Sequence, residues 1–168
     1  MLEAKYQSLL HEASQRGWAD AESLALCFSL LSLAARIDRD CAARLAPAGL
    51  SEGRFVLLFL LACADEPLAP HALASRAGIR RATVTGLLDG LEREALIERL
   101  ADPLDRRALR IQLTPQGQRL ADSLLAQHSQ WIASLFAALE PTERKQLAAL
   151  LHKAAANLPS PITPREAQ

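Results

Sequence analysis

Gly78 sits between two short stretches of periodic apolar residues, and its surroundings constrain the fold more than any other feature of the chain. Two helices that cross steeply through a tight turn need a residue that tolerates positive φ, which glycine does without steric cost. They need a small side chain four residues earlier, and Ala74 stands there. They also need apolar residues beneath the crossing: Leu73 before the turn, Ile79 just after it, then Val84 and Leu87. Pro70 suits a first helical turn, where its missing N–H costs nothing. The pattern predicts one helix from Pro70 to Ala77 and a second over Arg81–Glu94. Helical hairpins with a glycine turn are common, so the segment beyond the second helix decides the reading. Ile97–Leu100 and Ala108–Leu113 are strand-like, with Leu109, Ile111 and Leu113 alternating with polar or small neighbours. The polar, turn-prone segment Ala101–Arg107 between them predicts a hairpin with a long tip. Helix, turn, helix and hairpin in this order make a winged helix-turn-helix. In that layout the second helix enters the DNA major groove and the hairpin reaches the backbone or minor groove.

Long helical patterns flank this region. A short amphipathic helix fits residues 1–17, and a long one runs from Asp20 to about Leu45, ended by Pro47 and Gly49. Ser51 is placed to cap a helix through Phe55, Leu58 and Leu61 to Cys63. Thr114-Pro115 starts a helix to about Ala138, and Glu140-Pro141 starts a last one ending near Asn157. Leu, Ala, Trp131, Ile132 and Phe136 leave the outer helices apolar around much of their circumference, so that surface should be covered by a second copy of the chain. The fold class is thus mainly α with a small β-hairpin wing. Residues 1–50 and 114–158 are read as dimerisation helices, 51–113 as the winged helix-turn-helix, and 159–168, with three prolines, as a flexible tail.

Apolar residues make up 50% of the chain, enough for a sizeable core, and no apolar run approaches the roughly 20 residues of a membrane span. The N-terminus lacks the basic-then-apolar pattern of a secretory signal. Three cysteines, Cys27, Cys41 and Cys63, are too few and too scattered for a disulfide framework or zinc site, which predicts a reducing cytoplasm. No paired carboxylates, His–Cys cluster, HExxH or glycine-rich phosphate loop stands at useful spacing, so no enzyme, metal or cofactor is expected.

Basic and acidic residues balance at 19 each, so net charge does not announce a nucleic-acid partner; placement has to. Residues 70–117 hold eight arginines against six acids, whereas residues 1–69 carry a net −3. Arg80 and Arg81 open the second helix of the pair, where a helix dipole disfavours cations and an external anion would favour them. Arg106 and Arg107 stand at the wing tip. These are the two places where a winged domain approaches phosphates. Thr83 and Thr85, near the start of the reading helix, are candidates for base-edge or phosphate contacts. Arg106 is the choice for minor-groove entry. Arg99 and Asp105 are expected to pair with each other or with neighbours, holding the hairpin.

Ala82-Thr83-Val84-Thr85, Leu88-Asp89-Gly90-Leu91-Glu92, Leu96-Ile97-Glu98-Arg99, Asp102-Pro103-Leu104-Asp105-Arg106-Arg107 and Leu113-Thr114-Pro115-Gln116-Gly117 stand in an order and spacing that resembles the MarR family (multiple-antibiotic-resistance regulators) over about residues 20–155. The resemblance implies a dimeric winged-helix protein that binds a pseudo-palindromic operator. It also implies a repressor that releases DNA when a small molecule, often a phenol or aromatic acid, binds. Two positions depart from the family. Ala95 stands where glycine is frequent and is read as continuing the helix one step. Gly86 stands where arginine is frequent, which removes a DNA-facing cation.

Relatives hold the effector between dimer helices and reading domain, which implies Cys27, Phe28, Leu31 and Phe55 as apolar walls and Arg54 as a bidentate carboxylate anchor. Alternatively Arg54 pairs within the chain, for instance with Asp38 or Asp40. Leu26-Cys27-Phe28-Ser29-Leu30 also resembles the reactive-cysteine stretch of the family's organic-peroxide-sensing branch, which implies a redox repressor switched at Cys27. That branch places tyrosines four and fourteen residues later. Leu31 and Cys41 occupy those positions, leaving Cys27 readable as a small buried apolar residue and Cys41 as an alternative resolving partner. A third class, a winged-helix protein–protein adaptor without DNA binding, is opposed by arginines at both DNA-approach points.

Overall fold

The computed structural model describes residues 2–17, 20–102 and 108–159. The chain falls into two compact units, one up to Glu52 and one from Gly53 onward.

The first unit is two helices and a short 3-10 turn. Helix α1 (Ala4–Gln15) lies on α2 (Ala21–Leu45), and the chain then makes the 3-10 turn Ala46–Ala48. Asp20 caps α2 by accepting from the Ser23 N–H at 2.9 Å. The two helices are joined by a stack of Tyr6 on Phe28 with ring centroids 4.8 Å apart. Glu3 adds two ties to α2: its N–H donates to Ser32 Oγ at 3.3 Å and its carboxylate meets Arg39 at 2.9 Å. The Lys5 and Arg39 cations hold the Glu3 carboxyl below the usual carboxylate range. Gly49, at φ 68°, turns the chain after Pro47 and Ala48.

The second unit contains α3 (Glu52–Ala62), α4 (Pro70–Ala77), α5 (Arg81–Arg93), β1 (Ile97–Ala101), β2 (Leu109–Leu113), α6 (Pro115–Leu135) and α7 (Pro141–Ala155). Strands β1 and β2 are antiparallel, with Arg99 opposite Ile111 and Ile97 opposite Leu113. Leu68 adds a one-residue third strand, exchanging both backbone hydrogen bonds with Ile111 at 2.9 and 2.8 Å. The fully buried side chains include Leu57, Leu58, Leu73, Val84, Leu91 and Ile111. Each such leucine is worth roughly 1.5–3 kcal/mol of burial.

The turn after α4 is the one the sequence predicts. Gly78 has φ 66°, and Ile79 N–H donates to Ala74 O at 3.1 Å, closing the helix end. Leu73 and Val84 are fully buried and Ala74 nearly so, while Ile79 and Leu87 are only half-buried. Leu88 and Leu91 supply the rest of the apolar seam under α5.

The end of α5 departs from the sequence reading. Ala95 does not continue the helix; its φ is +55°. Leu96 N–H bonds Leu91 O at 3.0 Å and Ala95 N–H bonds Glu92 O at 2.9 Å, the two bonds of a Schellman cap, with Leu91 and Leu96 both buried beneath it. The left-handed residue of such a cap favours glycine, so alanine here carries backbone strain of roughly 1–2 kcal/mol. Thr114 locks the same corner. Its hydroxyl donates to Ala95 O at 2.7 Å and accepts from Gly117 N–H at 3.0 Å, capping α6 as expected. Gly117 is buried because α6 starts against the backbone of Leu96: a Cβ built on it would lie 1.8 Å from Leu96 O.

A second correction concerns Trp131. It is buried within its own chain at 6% exposure, its ring 4.7 Å from that of His128, and does not contribute to an outer apolar face. Ile132 and Phe136 are exposed as expected.

Candidate nucleic-acid interface

Helix α5 presents its N-terminal turn without a side-chain cap. The residue at the cap position is Arg80, whose side chain has no acceptor to offer the N–H groups of the first turn. Arg80, Arg81 and Thr83 are all exposed there. The first-turn N–H groups lack a side-chain cap, and Arg80 and Arg81 stand in sequence at the positive end of the helix dipole, a combination that suits an anion. Thr85 is exposed one turn further on, but its hydroxyl donates to Arg81 O at 3.1 Å. Its proton is committed to the helix, leaving it an acceptor towards other groups. Gly86 is exposed, and a Cβ built on it would touch nothing within 4 Å. Val84, Leu88 and Leu91 hold the opposite face in the core, so the exposed face is fixed in orientation.

The wing is fastened to this helix by ion pairs. Arg99, on β1, bonds Asp89 and lies 3.3 Å from Glu92, both on α5. The expectation that Arg99 pairs with a neighbour holds, and its partners are on α5. Where the strands run into the tip loop, Arg110 binds Asp102 at 2.7 Å and donates to Pro67 O at 3.2 Å, while Asp102 N–H donates to Ala108 O at 3.0 Å. Arg110 had no role in the sequence reading; it anchors the hairpin to the loop before α4. Gln112 and Glu98, opposite each other in register, bond at 2.6 Å. The wing-tip candidates Arg106 and Arg107, with Asp105, lie outside the described residues.

The candidate effector residues are divided between the two units. In the first, Cys27 and Leu31 are exposed and Phe28 stacks on Tyr6. Cys27 is thus not a buried packing residue of the single chain. In the second, Phe55 is buried, its ring 4.7 Å from that of His128. Arg54 is half-buried and forms an ion pair with Glu94 at 2.7 Å. The alternative that Arg54 pairs within the chain holds, and its partner Glu94, 40 residues away and without a local signature, was not among the carboxylates the sequence suggested. Burial pushes the Cys41 thiol up, and the Glu52, Asp38 and Asp40 carboxylates add to the shift. An open cleft of about 210 Å³ bounded by Leu61, Pro67, Ile111 and Gln118 contains none of the candidate effector residues, and its Asp65 and Glu66 do not suit an acid. No group of residues suited to hold a metal ion occurs among the described residues, and none of their helices is alone long and apolar enough to cross a membrane.

An oriented helix with a cationic, uncapped start, braced by a two-stranded wing, defines a winged helix-turn-helix DNA-binding domain. The family model described as "MarR family" matches residues 50–109. The chain is 33% identical over 148 residues to the HTH-type transcriptional repressor YetL of Bacillus subtilis, covering 88% of this chain and 89% of that protein. It is 36% identical over 83 residues to the homoprotocatechuate degradative operon repressor of Escherichia coli, over 49% of this chain and 56% of that one. Among solved structures, a MarR-family transcriptional regulator from Rhodococcus sp. RHA1 superposes with a TM-score of 0.62 at 28% identity, covering 79% of this chain and 94% of that one. The chain belongs to the MarR family. It is a DNA-binding transcription regulator that works as a homodimer, and not an enzyme.

Proposed function

We propose that this regulator is a repressor released from its operator by a small aromatic acid, with Arg54 as the carboxylate anchor. The observation that carries the reading is Arg54 itself: a half-buried guanidinium on α3, held against the far end of the reading helix through Glu94. A planar, always-charged fork in such a position suits a planar carboxylate. The 36%-identical relative named as repressor of a homoprotocatechuate degradative operon supports the class of ligand. An acid bound there shifts the regulator only by its differential affinity for the DNA-competent and released arrangements.

In the same reading, Arg80 and Arg81 bind phosphates at the start of α5, Thr83 reaches a base edge or phosphate, and Thr85 offers an acceptor. Arg106 and Arg107 contact the backbone or minor groove from the wing tip. The protein acts on a pseudo-palindrome whose half-sites are about 34–36 Å apart, one turn of B-DNA.

A thermal-shift screen of hydroxybenzoates, nicotinates and phenols, followed by release from the protein's own upstream DNA, tests the effector class. Arg54→Ala is expected to abolish both acid binding and acid-triggered release. Full retention of both places the anchor elsewhere. If only oxidants release the DNA and Cys27→Ser abolishes that release, the redox repressor replaces this reading.

A further inference from the structure

The Arg54–Glu94 pair is built in an unusual way. Arg54 is the third residue of α3 and Glu94 the residue closing α5. Each charge stands near the end of its own helix where the dipole disfavours it, so neither is placed for its own helix. The guanidinium also occupies the space of a missing side chain. Gly90 is buried on α5, and a Cβ built on it would lie 2.1 Å from Arg54 Nη2 and 2.8 Å from Cζ. A glycine in the middle of a helix costs about 1 kcal/mol relative to alanine. Here it opens a slot on the reading helix that a side chain of α3 fills. Besides its apolar seam, helix α5 is held by Arg99 from the wing, by the cap at Ala95 and by Arg54 from α3.

We propose that Arg54 is a detachable brace for the reading helix. Seated in the Gly90 slot and bound to Glu94, it positions α5 for DNA without touching DNA. An acid effector acts by drawing Arg54 away from Glu94. The second half rests on the effector reading above; the first half does not. Glu94 and the ligand carboxylate draw on one guanidinium, so acid binding weakens the brace. By linkage, the factor by which bound DNA weakens acid binding is the factor by which bound acid weakens DNA binding.

The test uses the full-length protein and a labelled duplex from its own upstream region. Glu94→Gln and the reversed pair Arg54→Glu/Glu94→Arg are compared with the parent over a salt series. Glu94→Gln is expected to weaken DNA binding about two- to fivefold, the size of a part-exposed ion pair. The salt slope should stay unchanged, because no phosphate contact is lost. The reversed pair should recover part of that loss, which a merely structural role for either residue would not produce. Unchanged DNA affinity of Glu94→Gln, or loss of affinity with a flattened slope, overturns the brace. With 4-hydroxybenzoate as the probe, Glu94→Gln should bind the acid about two- to fivefold more tightly and show a correspondingly smaller acid-triggered release. Equal acid binding and release in Glu94→Gln and the parent overturns the competition and leaves the effector reading standing. Acid binding and release that survive Arg54→Ala, or no binding to the parent by any hydroxybenzoate or nicotinate of the screen, overturn the competition and the effector reading together.

Discussion

Ala95 holds a left-handed backbone at φ +55° without the side-chain hydrogen bond that lets asparagine tolerate it. Ala95→Gly should therefore stabilise the protein. Relief of the αL strain exceeds the extra unfolded-state entropy of glycine, leaving about 0.5–1 kcal/mol and a higher thermal midpoint. Gly117 is the opposite case. The atom its missing Cβ would meet is a backbone oxygen, Leu96 O at 1.8 Å, so a neighbouring side chain cannot swing away to make room. Gly117→Ala should cost on the order of 2–3 kcal/mol or more, seen in denaturant unfolding, and should displace the start of α6. Cys41 belongs at this scale too. Burial and the carboxylates of Glu52, Asp38 and Asp40 raise its thiol, which lowers the thiolate fraction at any pH below the shifted value. Its alkylation by iodoacetamide at pH 8 should be slower than that of glutathione under the same conditions; an equal or faster rate would contradict the burial.

At the scale of elements, α5 and the wing act as one piece, joined by Arg99 and by the Thr114 corner. Arg81→Ala and Arg106→Ala should each weaken binding to all sequences alike and flatten the salt slope by about one unit, with the fold intact by circular dichroism. Gly86 is exposed with open space around it, so Gly86→Arg should do the reverse. It should steepen the slope by about one unit and, by removing a mid-helix glycine, raise stability by about 0.5–1 kcal/mol. Most of these elements were legible in the sequence because they obey period and punctuation. Pro70, Gly78, Thr114-Pro115 and Glu140-Pro141 mark helix ends with residues whose backbone chemistry requires it. What escaped has no such signature. Leu68 is a strand one residue long, too short to alternate. Ala95 carries no turn chemistry, and its left-handed φ is set by the cap bonds formed around it. Glu94 finds Arg54 across 40 residues, and a charge pair at that distance leaves no trace in local pattern. Trp131 sits on a helix that also carries exposed apolar residues, and its burial beside His128 is a tertiary feature that helical periodicity does not carry.

The molecule as a whole is marked by what one chain leaves uncovered. Leu26 on α2 is 64% exposed, and Leu150 on α7 is 56% exposed, with Leu33, Ile132 and Leu151 also open. Apolar faces on helices of this length are normally covered by another subunit, in keeping with the homodimer of the family. Sedimentation at micromolar concentration should show a dimer with no monomer boundary. In the proposed reading a dimer also sets the footprint on DNA, because two copies of α5 would address two half-sites and double the number of phosphates neutralised. The most direct test of a dimeric, phosphate-anchored DNA reader is fluorescence anisotropy of a labelled duplex from the protein's own upstream region, titrated at several salt concentrations. Saturation is expected at two chains per site, with an affinity whose logarithm falls linearly with the logarithm of salt concentration. Binding indifferent to salt, or saturation at one chain per site, would contradict it.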